Sequence, residues 1–524
     1  MDTDVLIVGA GPTGLMLANQ LGRRGVRTTI VDRHAGPAVQ TRALGVQART
    51  LEIYAKLGLV GRALALGKRG TGANVWAEGR KTAHIPLGEA GRDLTPYPFI
   101  LILGQDDNEQ IMGEKLREWN LAVQWSTELT HLDQQSDHVR ATLNQPDGSS
   151  REVEAAWVAG CDGARSAVRE LNRIPYPGAP YQHVFFVADT VVTGSMVADE
   201  VNAYLWRDGF HLFFPMRGKD HWRVVGILPH LLRDKADVSF DDVIPSIEGE
   251  AGADLSFTAC SWFSTYRISH RAAARFRDRR CFLLGDAAHI HSPVGAQGMN
   301  TGLQDAYNLG WKLALVTAGE ADAALLDSYE AERVPIAQRL LNTTDRAFRL
   351  VVSDGLIAGV MRTKIVAKIA ARAMRREAIQ RFAFRVVSQI GIHYRQSPLS
   401  LALERLTDDV PQAGDRFPWL KLAFTPGGGV EDVFERLDDT RFNLLVIGQP
   451  MPADALPLGD SLQVHAIAAD GANAAALAAA RIAVPSFYVL RPDGHVGLSG
   501  ARVDVTAIRR YVTERLRIGE TEAR

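Results

Sequence analysis

The chain of 524 residues is 46% hydrophobic and 23% charged, with a formal net charge of −1. That length exceeds one ordinary core and predicts several domains, while the balanced charge argues against nucleic-acid or anionic-membrane partners. No apolar run reaches the ~18 residues needed to cross a bilayer, the opening Met1-Asp2-Thr3-Asp4 has no basic n-region, and Cys161, Cys260 and Cys281 form no CxxC pair, so the expectation is a reducing, cytoplasmic setting without stable membrane insertion.

The first element is an apolar run, Val5 to Val8, followed at once by Gly9, Gly11 and Gly14 at G-x-G-x-x-G spacing. A helical pattern (Leu15, Leu17, Ala18, Leu21) and a second strand, Thr28 to Val31, lead to Asp32. Gly9 permits the tight turn, Gly11 lets a pyrophosphate approach the backbone and Gly14 lets helix pack on strand. Pro12 and Thr13 open the helix, whose free N–H groups face the phosphates. Asp32, with Arg33 beside it, stands near the distance expected for an acid on the ribose hydroxyls. The unit predicts dinucleotide binding without deciding between FAD and NAD(P), and no second fingerprint occurs in the chain.

Further on, VAGCDGARSAVR spans Val158 to Arg169. From 175 to 275 the text turns to aromatic, strand-like segments with turns at Arg207–Gly209 and Arg217–Asp220, an antiparallel pattern. Alternation along Phe210–Pro215 puts Phe210, Leu212 and Phe214 on one face and His211 and Phe213 on the other. The stretch LLGDAAHIHSPVGAQGMNTGLQD, Leu283 to Asp305, ends a strand at Gly285-Asp286 and turns helical from Met299. Its start offers the N–H groups of Gly298, Met299 and Asn300 to a ligand. His289 and His291, two apart on an extended segment, could share one metal ion, but the stretch has no further ligand at a familiar spacing, so no metal site is expected. Seven Lys/Arg between Lys364 and Arg385 predict a basic amphipathic helix, and strands recur beyond a boundary near Asp408–Pro418.

The fingerprint, the Asp-Gly segment and the Gly-Asp-Ala-Ala-His stretch, in this order over residues 1 to about 345, resemble the single-component FAD-dependent aromatic hydroxylases, typified by p-hydroxybenzoate hydroxylase and the phenol hydroxylases. Two departures are small: Asp32 stands where many members have Glu, and Ala296 where the turn often has a second Gly. The resemblance implies an α/β fold: a Rossmann-like FAD-binding domain (1–174 and 276–345), an inserted antiparallel-sheet substrate domain (175–275), a helical linker (346–410) and a thioredoxin-like C-terminal domain (411–524). In that last domain Pro485 matches the fold's cis-proline position, and the missing CxxC excludes dithiol chemistry, leaving a structural or homodimer-supporting role.

By the same resemblance Arg42 and Gln105 are flavin contacts, Asp162 belongs to the FAD site, Asp286 holds the ribityl chain, and the Pro293 carbonyl touches substrate or hydroperoxide. The helix start at Gly298-Met299-Asn300 faces the flavin ring, where it would favour the negative charge of the reduced form. NAD(P)H, as co-substrate, would meet the flavin in a surface groove near Arg42, Arg165 and Arg169, although Arg165 and Arg169 read equally as exposed helix charges. Tyr204, Trp206, His211 and Phe213 are the candidates for an aromatic pocket, against the alternative of plain core. His211 is also a candidate for phenol deprotonation, beside a structural reading. The implied activity is hydroxylation of a small phenolic compound with NAD(P)H and O2 through a C4a-hydroperoxyflavin. Rival readings are oxidation of a polyketide or heteroaromatic ring, Baeyer–Villiger insertion, and a flavin-bound redox sensor or scaffold.

Overall fold

The chain begins as its glycine spacing predicts, with β1 (Thr3–Val8), α1 (Pro12–Gly22) and β2 (Thr28–Val31), followed by α2 (Ala48–Lys56) and the hairpin strands β3 (Ala73–Ala77) and β4 (Arg80–Ile85). Next come β5 (Ser150–Gly160), β6 (Gly178–Gly194), β7 (Val201–Trp206), β8 (Gly209–Pro215), β9 (His221–Ile227), α3 (Phe240–Ala251), β10 (Leu255–Ala272) and β11 (Cys281–Leu283). Helices α4 (Gly298–Thr317), α5 (Asp327–Val352) and α6 (Glu377–Val387) precede a last sheet of β12 (Phe442–Ile447), β13 (Leu462–Ile467), β14 (Ser486–Leu490) and β15 (Val496–Gly500). These elements come from a computed structural model that describes all residues except 39–42, 207–208, 234, 236, 252–253, 292–296, 353–371, 405–409, 426–427, 452–455, 457 and 520–524.

The first sheet has a parallel centre. β1 pairs with β2 on one side (Val5 opposite Thr28) and with β5 on the other (Val5 opposite Trp157), and β11 adds to β5 with Cys281 opposite Val158. Val5, Leu6 and Ile7 are fully buried, as a strand covered on both faces requires. All three strand ends therefore point the same way, which brings Gly9, Asp162 and Gly285 to one edge.

The second sheet is wider than the 175–275 segment. Its order is His289–Ile290, β10, β6, β9, β8, β7, β3, β4, so it also takes two strands from before residue 174 and a short one from after 275. Neighbours are antiparallel except β7 and β3. α3 covers one face, where Phe186, Tyr204, Phe213 and Val224 form a core with Val243 and Ile247. The other face meets the first unit: Val201 and Phe214 pack on Leu44, Ala48, Leu87 and Ile102.

The basic helix expected from Lys364 to Arg385 is corrected within the described residues: a turn at 374–375 interrupts it, and α6 starts only at Glu377. Its Phe384 is buried against Gly91, where a Cβ would lie 2.4 Å from the ring. Among the described residues no helix is long and apolar enough to cross a membrane. The last sheet runs Leu401–Ala402, β15, β14, β12, β13, and the Val484–Pro485 peptide bond is cis. Phe442, Leu444 and Val446 of β12 pack on Trp311 of α4, which docks this sheet on that helix. At the dock Arg491 holds Glu332 of α5 at 2.5 and 3.0 Å, with Lys312 on the same carboxylate at 2.8 Å, all fully buried. Burial alone would raise the Glu332 carboxyl; Arg491 and Lys312 bring it down to about 2.

Candidate active site

At the end of β1 the chain turns through Gly9 at φ +103°, and a Cβ there would lie 2.4 Å from the Cys161 carbonyl. Gly14 is closer still: its Cβ would stand 1.9 Å from the Gly9 carbonyl. These two glycines are required by contact between α1, its own turn and the neighbouring strand end. Gly11 is different, with nothing within 4 Å of its Cβ position. It caps α1 without a side-chain hydrogen bond, and Pro12 follows at the first helical position. The first-turn N–H groups thus carry no side-chain cap, and the uncrowded Gly11 lets an anion approach the backbone there.

Asp32 braces this turn. Its Oδ2 accepts from the Ala10 N–H at 2.7 Å, and its Oδ1 accepts from the His34 N–H at 2.8 Å and meets His34 Nδ1 at 2.7 Å. Arg33 is exposed beside it. Thr13 does more than open the helix. Its Oγ1 occupies the space that a Cβ on Gly285 or Gly302 would take, at 2.6 and 2.4 Å. One small side chain thereby joins the fingerprint to the stretch from Leu283 to Asp305, and Gly302, which sequence reasoning missed, is explained by that contact.

Asp162 stands against the Gly9 turn. Its Oδ2 accepts from the Val168 N–H at 3.1 Å, while Oδ1 is buried with no protein partner. Burial pushes this carboxyl above the ordinary range, against the hydrogen bonds that favour its charge. A buried oxygen left open beside an open phosphate cradle is what a site completed by a hydroxyl- and amide-bearing cofactor would show, so the residues present fit a bound dinucleotide.

Arg169 is neither a groove cation nor an exposed helix charge. It is buried, donates to the carbonyls of Ala287 (3.0 Å) and Ala164 (2.9 Å), and lies 4.0 Å over the Tyr176 ring. Tyr176 in turn donates its hydroxyl to the Asp286 carbonyl at 2.8 Å. Together they clamp the turn Gly285–Ala287 and leave the Asp286 side chain exposed at the edge of the cradle. Arg165 is exposed on the rim.

His289 is buried and bound to Asp305 of α4 at 2.8 Å, with its ring 6.5 Å from a near-parallel His291. Its Nε2 is thus committed to a carboxylate, and among the described residues no His/Cys/Asp/Glu group could hold a metal ion. Asp305 also accepts from the Gly285 N–H (3.0 Å) and Arg333 Nε (2.6 Å). Burial works against its charge, yet Arg333 and His289 keep its pKa below the usual carboxylate value.

α4 starts at Gly298 with no side-chain cap on Gln297. Gly298 and Met299 are half-buried at its mouth, and the main chain is what this helix start offers. The Asn300 side chain is occupied elsewhere, accepting from Gln47 N–H (2.9 Å) and Thr50 Oγ1 (2.7 Å) and donating to the Gly45 carbonyl (2.8 Å). Gln105 begins a helix, Gln105–Lys115, and donates to Glu109 at 2.8 Å. Arg42, Pro293 and Ala296 lie outside the described residues.

The four pocket candidates on the second sheet are corrected. Tyr204, Trp206, His211 and Phe213 share the face that α3 covers. Tyr204 stacks on Trp76 at 5.4 Å and donates to the Ser195 carbonyl at 3.0 Å. His211 is fully buried against Glu250 of α3 at 3.0 Å, with Trp206 stacked on it at 5.7 Å. Alternation separated the two faces correctly, but nothing in it said which one a helix would cover. On the face toward the first unit, Leu205, Leu212, Phe214 and Val225 are only half-buried. That face also carries Arg223, paired with Asp189 at 2.6 and 2.5 Å and lying 5.2 Å from the Trp262 ring. A buried bidentate pair of distant residues leaves no signal in the sequence.

Comparison with known proteins agrees with this geometry. A family model described as an FAD binding domain matches residues 2–344. The chain is 34% identical to the 6-methylpretetramide 4-monooxygenase of Streptomyces rimosus, over 96% of this chain and 92% of that protein. It is 33% identical to the pentachlorophenol 4-monooxygenase of Sphingobium chlorophenolicum, over 80% of this chain and 76% of that one. Among solved structures, the anhydrotetracycline hydroxylase OxyS of Streptomyces rimosus superposes with a TM-score of 0.78 at 29% identity, covering 98% of this chain and 99% of that chain.

Proposed function

The chain belongs to the FAD-dependent aromatic hydroxylases, flavin monooxygenases built on an FAD-binding domain, and on that premise we propose that it hydroxylates a phenolic ring carried on a flat, multi-ring skeleton, with NAD(P)H and O2 as co-substrates. The observation that carries the substrate size is the half-buried apolar face of β7, β8 and β9. Leu205, Leu212 and Val225 offer a broad floor instead of a closed aromatic slot, and a floor of that kind suits a polycyclic substrate better than a single phenol. The Asp189–Arg223 pair at its margin gives such a substrate a polar edge to register against.

In this reading Gly11, Pro12 and Thr13 would hold the pyrophosphate, and Asp32 and Arg33 the adenosine ribose. Asp162 and Asp286 would hold the ribityl side and the N–H groups of Gly298 and Met299 the flavin ring, with Gln105 and, from the sequence alone, Arg42 as further contacts. Bound FAD supplies the electrons, drawn from NAD(P)H, and the oxygen activation. The chain orients the ring, excludes water and places the positive end of α4 where charge accumulates on reduction. The lack of a second dinucleotide fingerprint supports transient docking of NAD(P)H at the surface, with Arg165 on the exposed rim. The C-terminal sheet reads as a thioredoxin-like unit without its dithiol. Gln449, just after β12, donates to the Ser486 and Ala501 carbonyls at 2.9 and 3.1 Å, a structural fastening and not a redox centre. Its role is then to hold α4 and α5, or a second copy of the chain.

The test is NAD(P)H oxidation by the purified flavoprotein, with and without a panel running from simple phenols to multi-ring phenolic polyketides. Stimulated oxidation with a product heavier by one oxygen atom is expected, strongest for the multi-ring members. Stimulation by simple phenols alone would return the substrate to a small ring, and none by any aromatic would leave a redox sensor or scaffold.

A further inference from the structure

Glu332 and Arg333 are neighbours on α5 that face opposite tasks. Glu332 docks the C-terminal sheet through Arg491. Arg333 turns the other way, donating through Nε to Asp305 (2.6 Å), through Nη2 to the Thr301 carbonyl (3.1 Å) and through Nη1 to the Tyr394 hydroxyl (2.9 Å). Thr301 belongs to the first turn of α4, and Asp305 holds the Gly285 N–H and His289. One fully buried guanidinium therefore ties both sides of the flavin cradle: the Gly285–His289 turn that carries Asp286, and the helix start that carries Gly298 and Met299. Tyr394 closes the chain on the far side. Its ring lies 4.4 Å from that of His495 and 5.3 Å from the Arg491 guanidinium, both in the C-terminal unit.

We infer that Arg333 and Tyr394 are positioning residues for the flavin, setting the distance between the Asp286 turn and the start of α4 and linking that distance to the docked C-terminal sheet. Neither touches the cradle directly; Arg333 acts through Asp305 and Thr301. A guanidinium suits the task because its rigid fork serves three acceptors in fixed directions, which a lysine could not do. If the fork is lost, the turn and the helix start are free to part, and the N–H groups of Gly298 and Met299 lose their aim at the reduced, negatively charged ring.

The inference rests on the reading that residues 285–300 hold the flavin. It is tested on the full-length holoprotein by FAD titration, the midpoint potential of the bound flavin and thermal unfolding. Arg333→Gln is expected to weaken FAD binding about tenfold, the scale seen for residues that orient ligand-holding groups, and to make the midpoint potential more negative. Tyr394→Phe, which removes one hydroxyl and keeps the fold if Arg333→Gln does not, should move both quantities the same way by less. Glu332→Gln cuts the Arg491 dock and leaves Asp305 alone, so it should lower thermal stability while moving the potential less than Arg333→Gln does. Wild-type affinity and potential in Tyr394→Phe, or a potential that moves as far in Glu332→Gln as in Arg333→Gln, overturns the inference. Asp286→Ala separates the two ideas: if it retains full FAD affinity the cradle reading itself fails, and if it loses affinity while the Arg333 and Tyr394 variants do not, only the positioning role fails.

Discussion

The glycine turn after β1 and the eight-stranded sheet of β3, β4, β6 to β10 and the short strand His289–Ile290 stand side by side but are specified in opposite ways. In the turn, main-chain atoms come so close that few residue types fit: a Gly14 Cβ would lie 1.9 Å from the Gly9 carbonyl and a Gly9 Cβ 2.4 Å from the Cys161 carbonyl. In the sheet almost any apolar residue fits either face, and what distinguishes the faces is a covering helix. The first region therefore writes its geometry into a short motif, whereas the second writes it into long-range packing.

Substitutions can break that contrast. The largest effect is expected in the turn: Gly14→Val has no room that backbone could yield, so the protein should be purified colourless, as the visible flavin absorbance will report. In the sheet the outcome should depend on face. Phe213→Ala, under α3, is expected to cost about 3–5 kcal/mol in denaturant unfolding with KM for the aromatic substrate unchanged. Leu212→Ala, the next residue on the open face, should cost about 1 kcal/mol or less but raise KM about tenfold through lost ground-state contact. Equal effects on KM from the two would remove the distinction between the faces.

The smallest effect lies outside both regions. His465 on β13 is buried beside Asn443, and burial pushes its pKa from 6.5 down to about 4. The folded chain thus favours the neutral ring. The resulting stability is complete above about pH 6.5 and is lost as the pH falls from there toward about 4, some 1 kcal/mol by about pH 5.5. Thermal unfolding followed against pH should show this slope, and His465→Gln should flatten it while leaving flavin absorbance untouched.

The same contrast explains what could be read from the residues alone. Gly9, Gly11, Gly14, Asp32 and Asp162 announce themselves because contact or ligand chemistry restricts them; dinucleotide binding follows from the glycine spacing, and FAD from the family resemblance. The face of β8 did not, since Phe210–Phe214 alternates equally well either way and α3 begins only 26 residues after Phe214 (240 − 214). Arg169 misled for a related reason: a charged residue in a surface-like helical pattern gives no sign that two carbonyls and Tyr176 await it. The strands β3 and β4 could not be assigned to the second sheet because the parallel pairing of β3 with β7 joins segments more than a hundred residues apart, with no turn between them to mark it.

The parallel register of β1 also orders the molecule in time. As the chain leaves the ribosome, the fingerprint appears first, yet Val5 must wait for Trp157 and then β5 for Cys281 before the sheet is complete. Until then the apolar run Val5–Val8 of β1 has an unpaired edge, the kind of exposed strand that aggregates during slow, non-local folding. The residues that advertise the cofactor earliest are thus among the last to be able to hold it, and loading of FAD becomes an event of the finished chain.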